Sequence, residues 1–183
     1  MATKNYFIID NLMTSEELFW LYHKILDSPN WYLTRSSRKE GIGMLAFKGF
    51  PGLTIQQGEN IEVDFLAGYF QSLIFRIKKI IYKEHDCKLP NIIKRIHIGA
   101  KSSNSKTFDH IDSKNPSDWT ILGFLNPVWN QEDGGELILN DEKLKYKPGR
   151  FVIFQSTMKH NGGFIKNEEL NYWRITSNII LSD

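Results

Sequence analysis

The stretch Phe108-Asp109-His110-Ile111-Asp112 sets an imidazole and a carboxylate two residues apart. In an extended chain, His110 and Asp112 project from the same face of a sheet. One imidazole and one carboxylate on one face are two of the three ligands in a facial Fe(II) site, which leaves three coordination positions open. The third ligand must come from another strand. His160 stands fifty residues downstream, just after the hydrophobic run Arg150-Phe151-Val152-Ile153-Phe154. Arg174 follows fourteen residues later, in the strand-like run Tyr172-Trp173-Arg174-Ile175-Thr176. The ordered pattern His-x-Asp, His, Arg organises the rest of the chain.

Three cis positions on Fe(II) suffice for a bidentate co-substrate and one O2. A 2-oxo acid would chelate through its keto oxygen and C1 carboxylate, and a far carboxylate would then need a cation. Arginine suits that role because its planar fork grips a carboxylate bidentately. Arg174 and Thr176 are two apart, so guanidinium and hydroxyl face the same way. An arginine facing into a β-sandwich is costly unless an anion meets it. The alternation of Arg174 and Thr176 with Trp173 and Ile175 is compatible with either face pointing inward.

Other residues could also do chemistry. His97 has three readings: a hydrogen-bond partner of co-substrate or substrate, a satisfied core histidine, or an extra metal ligand that would make a three-histidine cupin. His85-Asp86-Cys87 lacks a second ligand pair at a zinc spacing and sits in the turn before Pro90, so it reads as loop. His23 reads as a partly exposed helix residue. Trp119 reads as core, while Trp129 and Trp173 could belong to core or to a substrate groove.

The elements that must position these groups can be drawn from periodicity. Tyr6–Asp10 reads as a first strand. Thr14 looks like an N-cap with Glu17 as its capping-box partner, and Leu18, Leu21, Tyr22 and Ile25 follow at helical spacing. The helix runs from Thr14 to about Asp27, and Pro29 ends it. Trp31 to Gln57 is polar and glycine-punctuated, and reads as strands joined by a loop that could form a lid or be an ordinary hairpin. Ile61 to about Lys83 is a long helix with a broad apolar stripe from Val63 to Ile81.

From Asn91 the period changes. Asn91–Gly99 is β-branched and strand-like, and Lys101–Lys106 reads as a loop. Strands are predicted at Trp119–Leu125, Glu136–Leu139, Leu144–Tyr146, Arg150–Gln155 and Tyr172–Leu181. The turns between them are Asp133-Gly134-Gly135, Asn140-Asp141 and a type II turn at Pro148-Gly149. Seven or eight short strands after two helices predict a mainly β protein with some α, a double-stranded β-helix (jelly roll) buttressed by N-terminal helices.

Composition narrows the class further. At 183 residues the chain is expected to form one domain, a helical and strand lead-in over 1–90 and a jelly-roll core over 91–183. No uninterrupted apolar run approaches a membrane span, and Met1–Asn5 lacks a signal-peptide pattern. The single cysteine, Cys87, excludes an intramolecular disulfide and suits a reducing, cytoplasmic setting. A net charge of +2 is too small to argue for nucleic acid. Ile74–Lys106 does carry nine Lys or Arg against Glu84 and Asp86, which reads more readily as a solvated helix face plus loop than as a binding patch.

From about Asn91 to Leu181 the chain resembles the catalytic domain of the prolyl 4-hydroxylase-like 2-oxoglutarate/Fe(II)-dependent oxygenases. The pieces that carry the resemblance are His110-Ile111-Asp112, Trp119–Asn126, Gly134-Gly135-Glu136-Leu137, Lys147-Pro148-Gly149-Arg150, His160 and Arg174-Ile175-Thr176. His-x-Asp alone is weak, but the ordered set over some ninety residues is specific. The N-terminal strand and capped helix resemble the family's lead-in.

The resemblance implies that His110, Asp112 and His160 ligate iron. It implies that Arg174, helped by Thr176, holds the distal carboxylate of 2-oxoglutarate, with His97 as a further candidate at the co-substrate. Fe(II), 2-oxoglutarate and O2 would be the cofactor and co-substrates, with L-ascorbate admitted. The activity implied is hydroxylation of an unactivated C–H bond, in a peptidyl proline or another peptide, protein or small-molecule substrate, with succinate and CO2 as products. Asp112 occupies the position a halide would need, so hydroxylation is expected over halogenation. Two departures stand out. Prolyl 4-hydroxylases commonly use lysine at the distal carboxylate where this chain has Arg174, and the strand before the iron motif often carries a tyrosine where the nearest candidate is His97.

Two other readings compete. A nucleic-acid-directed oxygenase would use the basic segment and bind single strands in a salt-sensitive way. A cupin-like metal-binding or sensor domain would hold metal without turnover.

Overall fold

A computed structural model describes residues 6–27, 31–34, 44–47, 61–103, 108–166 and 173–183. In chain order the elements are β1 (Tyr6–Ile9), α1 (Ser15–Leu26), β2 (Trp31–Thr34), β3 (Met44–Phe47), α2 (Ile61–His85), β4 (Ile92–Lys101), β5 (Trp119–Phe124), β6 (Leu137–Leu139), β7 (Glu142–Leu144), β8 (Phe151–Gln155), β9 (His160–Gly162) and β10 (Arg174–Ser182). Two antiparallel sheets result. The larger has the order β1-β8-β5-β10-β4-β3-β2 and the smaller β7-β6-β9. This is the expected jelly-roll arrangement, with two helices before the strands of the core.

Strand alternation divides the apolar residues between two layers. Ile121, Phe151, Ile153, Ile175, Ile179 and Leu181 face outward from the larger sheet and pack against Leu21, Ile25, Phe70, Leu73, Ile77 and Ile81 of the helices. The intervening positions Leu122, Phe124, Val152 and Phe154 face the smaller sheet, where Leu137, Leu139, Leu144 and Tyr146 meet them. Each such side chain, once buried, stabilises the fold by about 1.5–3 kcal/mol. Strands β5 and β8 are therefore largely apolar on both faces, whereas the inner side of β4 and β10, with Thr120 of β5, carries polar groups.

Local rules account for the element ends. Glu17 N–H donates to Thr14 Oγ1 (3.1 Å), and Thr14 N–H donates to Glu17 Oε2 (2.8 Å), which is the expected capping box at α1. Helix α2 runs to His85, two residues beyond the predicted end, and Asp86 closes it at φ +49°. Arg150 N–H donates to Lys147 O (3.0 Å) with Gly149 at φ +72°, as a type II turn requires. Just before that turn's partner strand, Asp10 accepts from Arg150 Nε (2.8 Å) and Nη2 (3.0 Å) and from Lys147 Nζ (3.1 Å). These bonds latch the end of β1 to the start of β8.

Three boundaries differ from expectation. β4 continues through Lys101 instead of yielding to a loop at that residue, because β10 pairs with it as far as Arg174↔Lys101. β7 begins at Glu142, earlier than Leu144, because Asn140 and Asp141 both adopt positive φ and make a two-residue hairpin turn. Phe108–Asp112 is not a strand. It is tied down by a single bridge, His110↔His160. Of the segment Trp31–Gln57, strands β2 and β3 are described, while the connecting stretches read as a lid lie outside the described residues.

Candidate metal centre

His110, Asp112 and His160 offer one donor atom each, and these atoms lie within 4.8 Å of one another. His160 comes from β9, and the other two from the segment that β9 holds. His110 N–H donates to His160 O, and His160 N–H donates to His110 O, each at 2.9 Å. Asp112 and Ser113 N–H both donate to Ser156 O (3.0 and 3.2 Å). Lys159 Nζ pairs with Asp109 at 2.6 Å, and Asn161 Nδ2 donates to the same carboxylate. The bridge at His110, the Ser156 carbonyl at Asp112 and the contacts of Asp109 therefore bring His110 and Asp112 onto the site without a continuous strand.

Both imidazoles are set in the same way. His110 Nδ1 donates to Phe108 O and His160 Nδ1 to Met158 O, each 3.0 Å away and two residues back. A carbonyl oxygen can only accept, so each Nδ1 carries a proton, and it is Nε2 of each ring that is turned toward Asp112. Those two Nε2 atoms lie 3.9 and 3.4 Å from Asp112 oxygens. Burial pushes His160 below the ordinary histidine range and favours its neutral, ligating form. The set of two imidazoles and one carboxylate suits a divalent first-row metal such as Fe(II) and fits it in composition and spacing.

Asp112 is almost fully buried and is oriented by three strands. Its Oδ2 accepts from Thr120 Oγ1 of β5 (2.9 Å) and from Asn178 Nδ2 of β10 (3.0 Å). Arg95 Nη2 of β4 lies 3.4 Å from Oδ1 and donates to Asn178 Oδ1 at 2.8 Å. Thr120 Oγ1 also lies 2.8 Å from the buried Ser156 Oγ. Partners of this sort fix a ligand's orientation before metal arrives. None was picked out from the sequence, because each is brought in by sheet register and none by local spacing.

Arg174 is 2% exposed and faces inward, which resolves the orientation the sequence left open. Its Nε donates to Gly135 O (2.8 Å), its Cζ lies 5.8 Å from the ring centres of Phe124 and Tyr146, and its Nη2 is buried without a hydrogen-bond partner. A Cβ on Gly135 would stand 3.1 Å from Arg174 Cδ, so the positive-φ glycine leaves room for the side chain. Asn126 sets the entry of β10. Its Nδ2 donates to Trp173 O (2.8 Å), and its Oδ1 accepts from Ile175 N–H and from Tyr146 Oη–H (both 2.7 Å). Thr176 lies two residues along the same face, paired with Phe124 and Gly99.

His97 is on the interior side of β4, two residues from Arg95 and opposite Asn178. Burial, with the neighbouring Arg95, lowers it to about 4, so it is neutral. The donor cluster comprises His110, Asp112 and His160, and His97 is not part of it. Trp119 is partly buried against the helix-facing core, as expected. Trp129 is buried and donates to Gly134 O (2.9 Å), whereas Trp173 is 36% exposed. His23 is exposed on α1, and His85 stacks on Phe7 at 4.6 Å.

The fold thus encloses a three-donor cluster able to hold a metal ion and a buried arginine on the inner side of β10. Residues 96–179 match the model of the 2OG-Fe(II) oxygenase superfamily, and the His110, Asp112 and His160 cluster is one that could hold a metal ion. Solved structures share the fold. A prolyl hydroxylase from Trichoplax adhaerens, in complex with a hypoxia inducible factor oxygen degradation domain peptide fragment, is 20% identical with a TM-score of 0.62, over 97% of this chain and 83% of that chain. A Pseudomonas putida prolyl-4-hydroxylase is 14% identical with a TM-score of 0.64, over 98% and 92%. An oxidoreductase of the 2OG-Fe(II) oxygenase family from Burkholderia pseudomallei is 10% identical with a TM-score of 0.68, over 96% and 84%. No curated protein matches the chain in sequence.

Proposed function

We propose that the protein hydroxylates a C–H bond of a peptidyl proline, with His110, Asp112 and His160 as the metal ligands and Arg174, helped by Thr176, at the distal carboxylate of 2-oxoglutarate. The observation that carries this reading is the convergence of the three donor groups beside a buried, incompletely satisfied arginine. The chemistry supplied by Fe(II) when bound is the coupling of 2-oxoglutarate decarboxylation to C–H oxidation, so that 2-oxoglutarate, O2 and R–H give succinate, CO2 and R–OH. The protein's own part is positional. The carbonyls of Phe108 and Met158 set the imidazoles, Thr120 and Asn178 set Asp112, and the buried Arg174 orients the diacid. The exposed edge of His110 leaves one side of the site open to a substrate.

The choice of proline rests on the prolyl hydroxylases among the solved relatives. The basic segment supports a peptide or small-molecule substrate over nucleic acid, since several of its cations are already engaged: Arg76 with Glu17, Lys78 with Asn91, Lys94 with Asp118 and Arg95 with Asn178. No helix among the described residues is long and apolar enough to cross a membrane. We read residues 1–183 as one oxygenase domain, and the lone Cys87 as suited to the cytoplasm.

The test is incubation with Fe(II), 2-oxoglutarate, O2 and a panel of proline-containing peptides, followed by mass spectrometry and succinate measurement. A peptide that gains one oxygen atom in step with succinate is the expected result, and His110→Ala or Asp112→Ala should abolish both. Succinate release that no prolyl peptide stimulates or captures would overturn the proline assignment.

A further inference from the structure

Lys101 is a charged side chain that the site as described does not use. It ends β4 directly opposite Arg174 of β10 and is half-buried on the interior face. Its Nζ and the Arg174 guanidinium converge on one point of the smaller sheet. A Cβ placed on Gly162 would stand 3.3 Å from Lys101 Nζ and 2.9 Å from Arg174 Nη1. Gly162 follows His160 by two residues on β9, so the missing side chain lies on the same face as the candidate metal ligand, about 6.6 Å along the strand. A five-carbon diacid covers a similar distance between its keto oxygen and its far carboxylate.

Two cations brought this close oppose each other unless an anion joins them. Burial, and then the charge of Arg174, draws the Lys101 ammonium down to about 8, the behaviour of a cation lacking its counter-charge. Glu136 is a carboxylate whose charge reaches Arg174, yet among the described residues no ion pair joins it to either cation. Arg174 Nη2, meanwhile, is buried without a partner. A lysine and an arginine from neighbouring strands, facing a glycine, with an unused N–H between walls of Phe124 and Tyr146, make a receptor for one carboxylate.

We propose that Lys101 is a second cationic contact for the distal carboxylate of 2-oxoglutarate, shared with Arg174. This rests on the reading of Arg174 given above. It makes the pocket selective for a 2-oxo diacid over a 2-oxo monoacid through two charges on two strands. Gly162 is then a required absence, the position from which any side chain would exclude the carboxylate.

The test compares binding of 2-oxoglutarate and pyruvate, which share the chelating end and differ in the distal carboxylate. Fe(II)-loaded protein is titrated without O2, and the charge-transfer absorption of the chelated 2-oxo acid is followed. Lys101→Met should raise the Kd for 2-oxoglutarate by about tenfold or more, as loss of a charge-assisted contact does, and leave the Kd for pyruvate within about twofold. Lys101→Gln should behave alike, and thermal melting checks that each variant is folded. In the wild-type protein, which needs no substitution, 2-oxoglutarate but not pyruvate should shield Lys101 from an amine-acylating reagent, read by peptide mass.

The inference is overturned if shielding is absent, or if Lys101→Met weakens both acids alike or neither, while Arg174→Ala still removes the preference for 2-oxoglutarate. A wild-type protein with no preference between the two acids would instead remove the reading of Arg174 itself.

Discussion

Asp112 is the residue on which the site turns, because both imidazoles and three strands meet it. His110 and His160 need only a local backbone carbonyl to expose Nε2, whereas Asp112 depends on Thr120, Asn178 and Arg95 for its angle. Thr120→Val keeps the shape of the side chain and removes the hydroxyl donor. Metal affinity should fall about 10–100-fold, the usual effect of losing a partner behind a ligand, with little change in melting temperature of the metal-free protein. Titration with Fe(II) or Co(II) reads this directly, and an unchanged affinity would mean that Asn178 alone suffices. The candidate ligands themselves were legible in the sequence because His-x-Asp is a local pattern and the chemistry of the set is distinctive. Their partners were not, since threonine, asparagine and serine are common and only cross-strand register gives them a role. Lys101 was hidden for a related reason. Its neighbours Ser102 and Ser103 suggest a loop, and only the pairing of β10 carries β4 as far as Lys101.

Among the elements, β4 and β10 do most of the positioning. Their register puts Arg174 opposite Lys101 and Asn178 opposite His97, so one strand pair carries both a partner of the candidate metal ligand Asp112 and the two cations. Periodicity found these strands and both helices to within a few residues, since a capping box and an apolar stripe are visible in sequence. The exception is Phe108–Asp112, which is extended in the sequence reading but is held as an irregular segment by bonds to His160 and Ser156.

The latch from β1 to β8 is also open to test. Arg150, followed by opposing burial and then Lys147, holds the Asp10 carboxyl below its ordinary value of 3.8. A carboxylate lowered in the folded state adds stability above its unfolded pKa, and this is lost as pH falls through the lower, folded value. Asp10 is partly exposed, so Asp10→Asn should cost only about 0.5–1 kcal/mol at neutral pH. The gap between variant and parent should close as the pH falls below about 4. Melting curves across that range check the sign, and a gap that is constant with pH would exclude the ion pair as its source.

At the scale of the whole molecule, helices and sheets divide the labour. Helices α1 and α2 seal the outer face of the larger sheet, so that its inner face can carry Arg174, Lys101, Asn178 and Thr120 at the cost of apolar packing there. The apolar stripe of the long helix and the succession of short strands signalled a helix-buttressed jelly roll in the sequence, and the ordered motifs carried the resemblance to the family. That His160 and the glycine beside Lys101 and Arg174 share one strand, β9, became visible only when the two sheets were folded together.

The most direct test of this arrangement is anaerobic titration of the metal-free protein with Fe(II) and then 2-oxoglutarate, watching for the charge-transfer band of a chelated 2-oxo acid. It requires no knowledge of the substrate. The band should appear only when both components are present and should be lost in Asp112→Ala. Iron binding without a band, or a band that survives Asp112→Ala, would contradict the assignment of His110, Asp112 and His160 as the metal ligands beside an open co-substrate site.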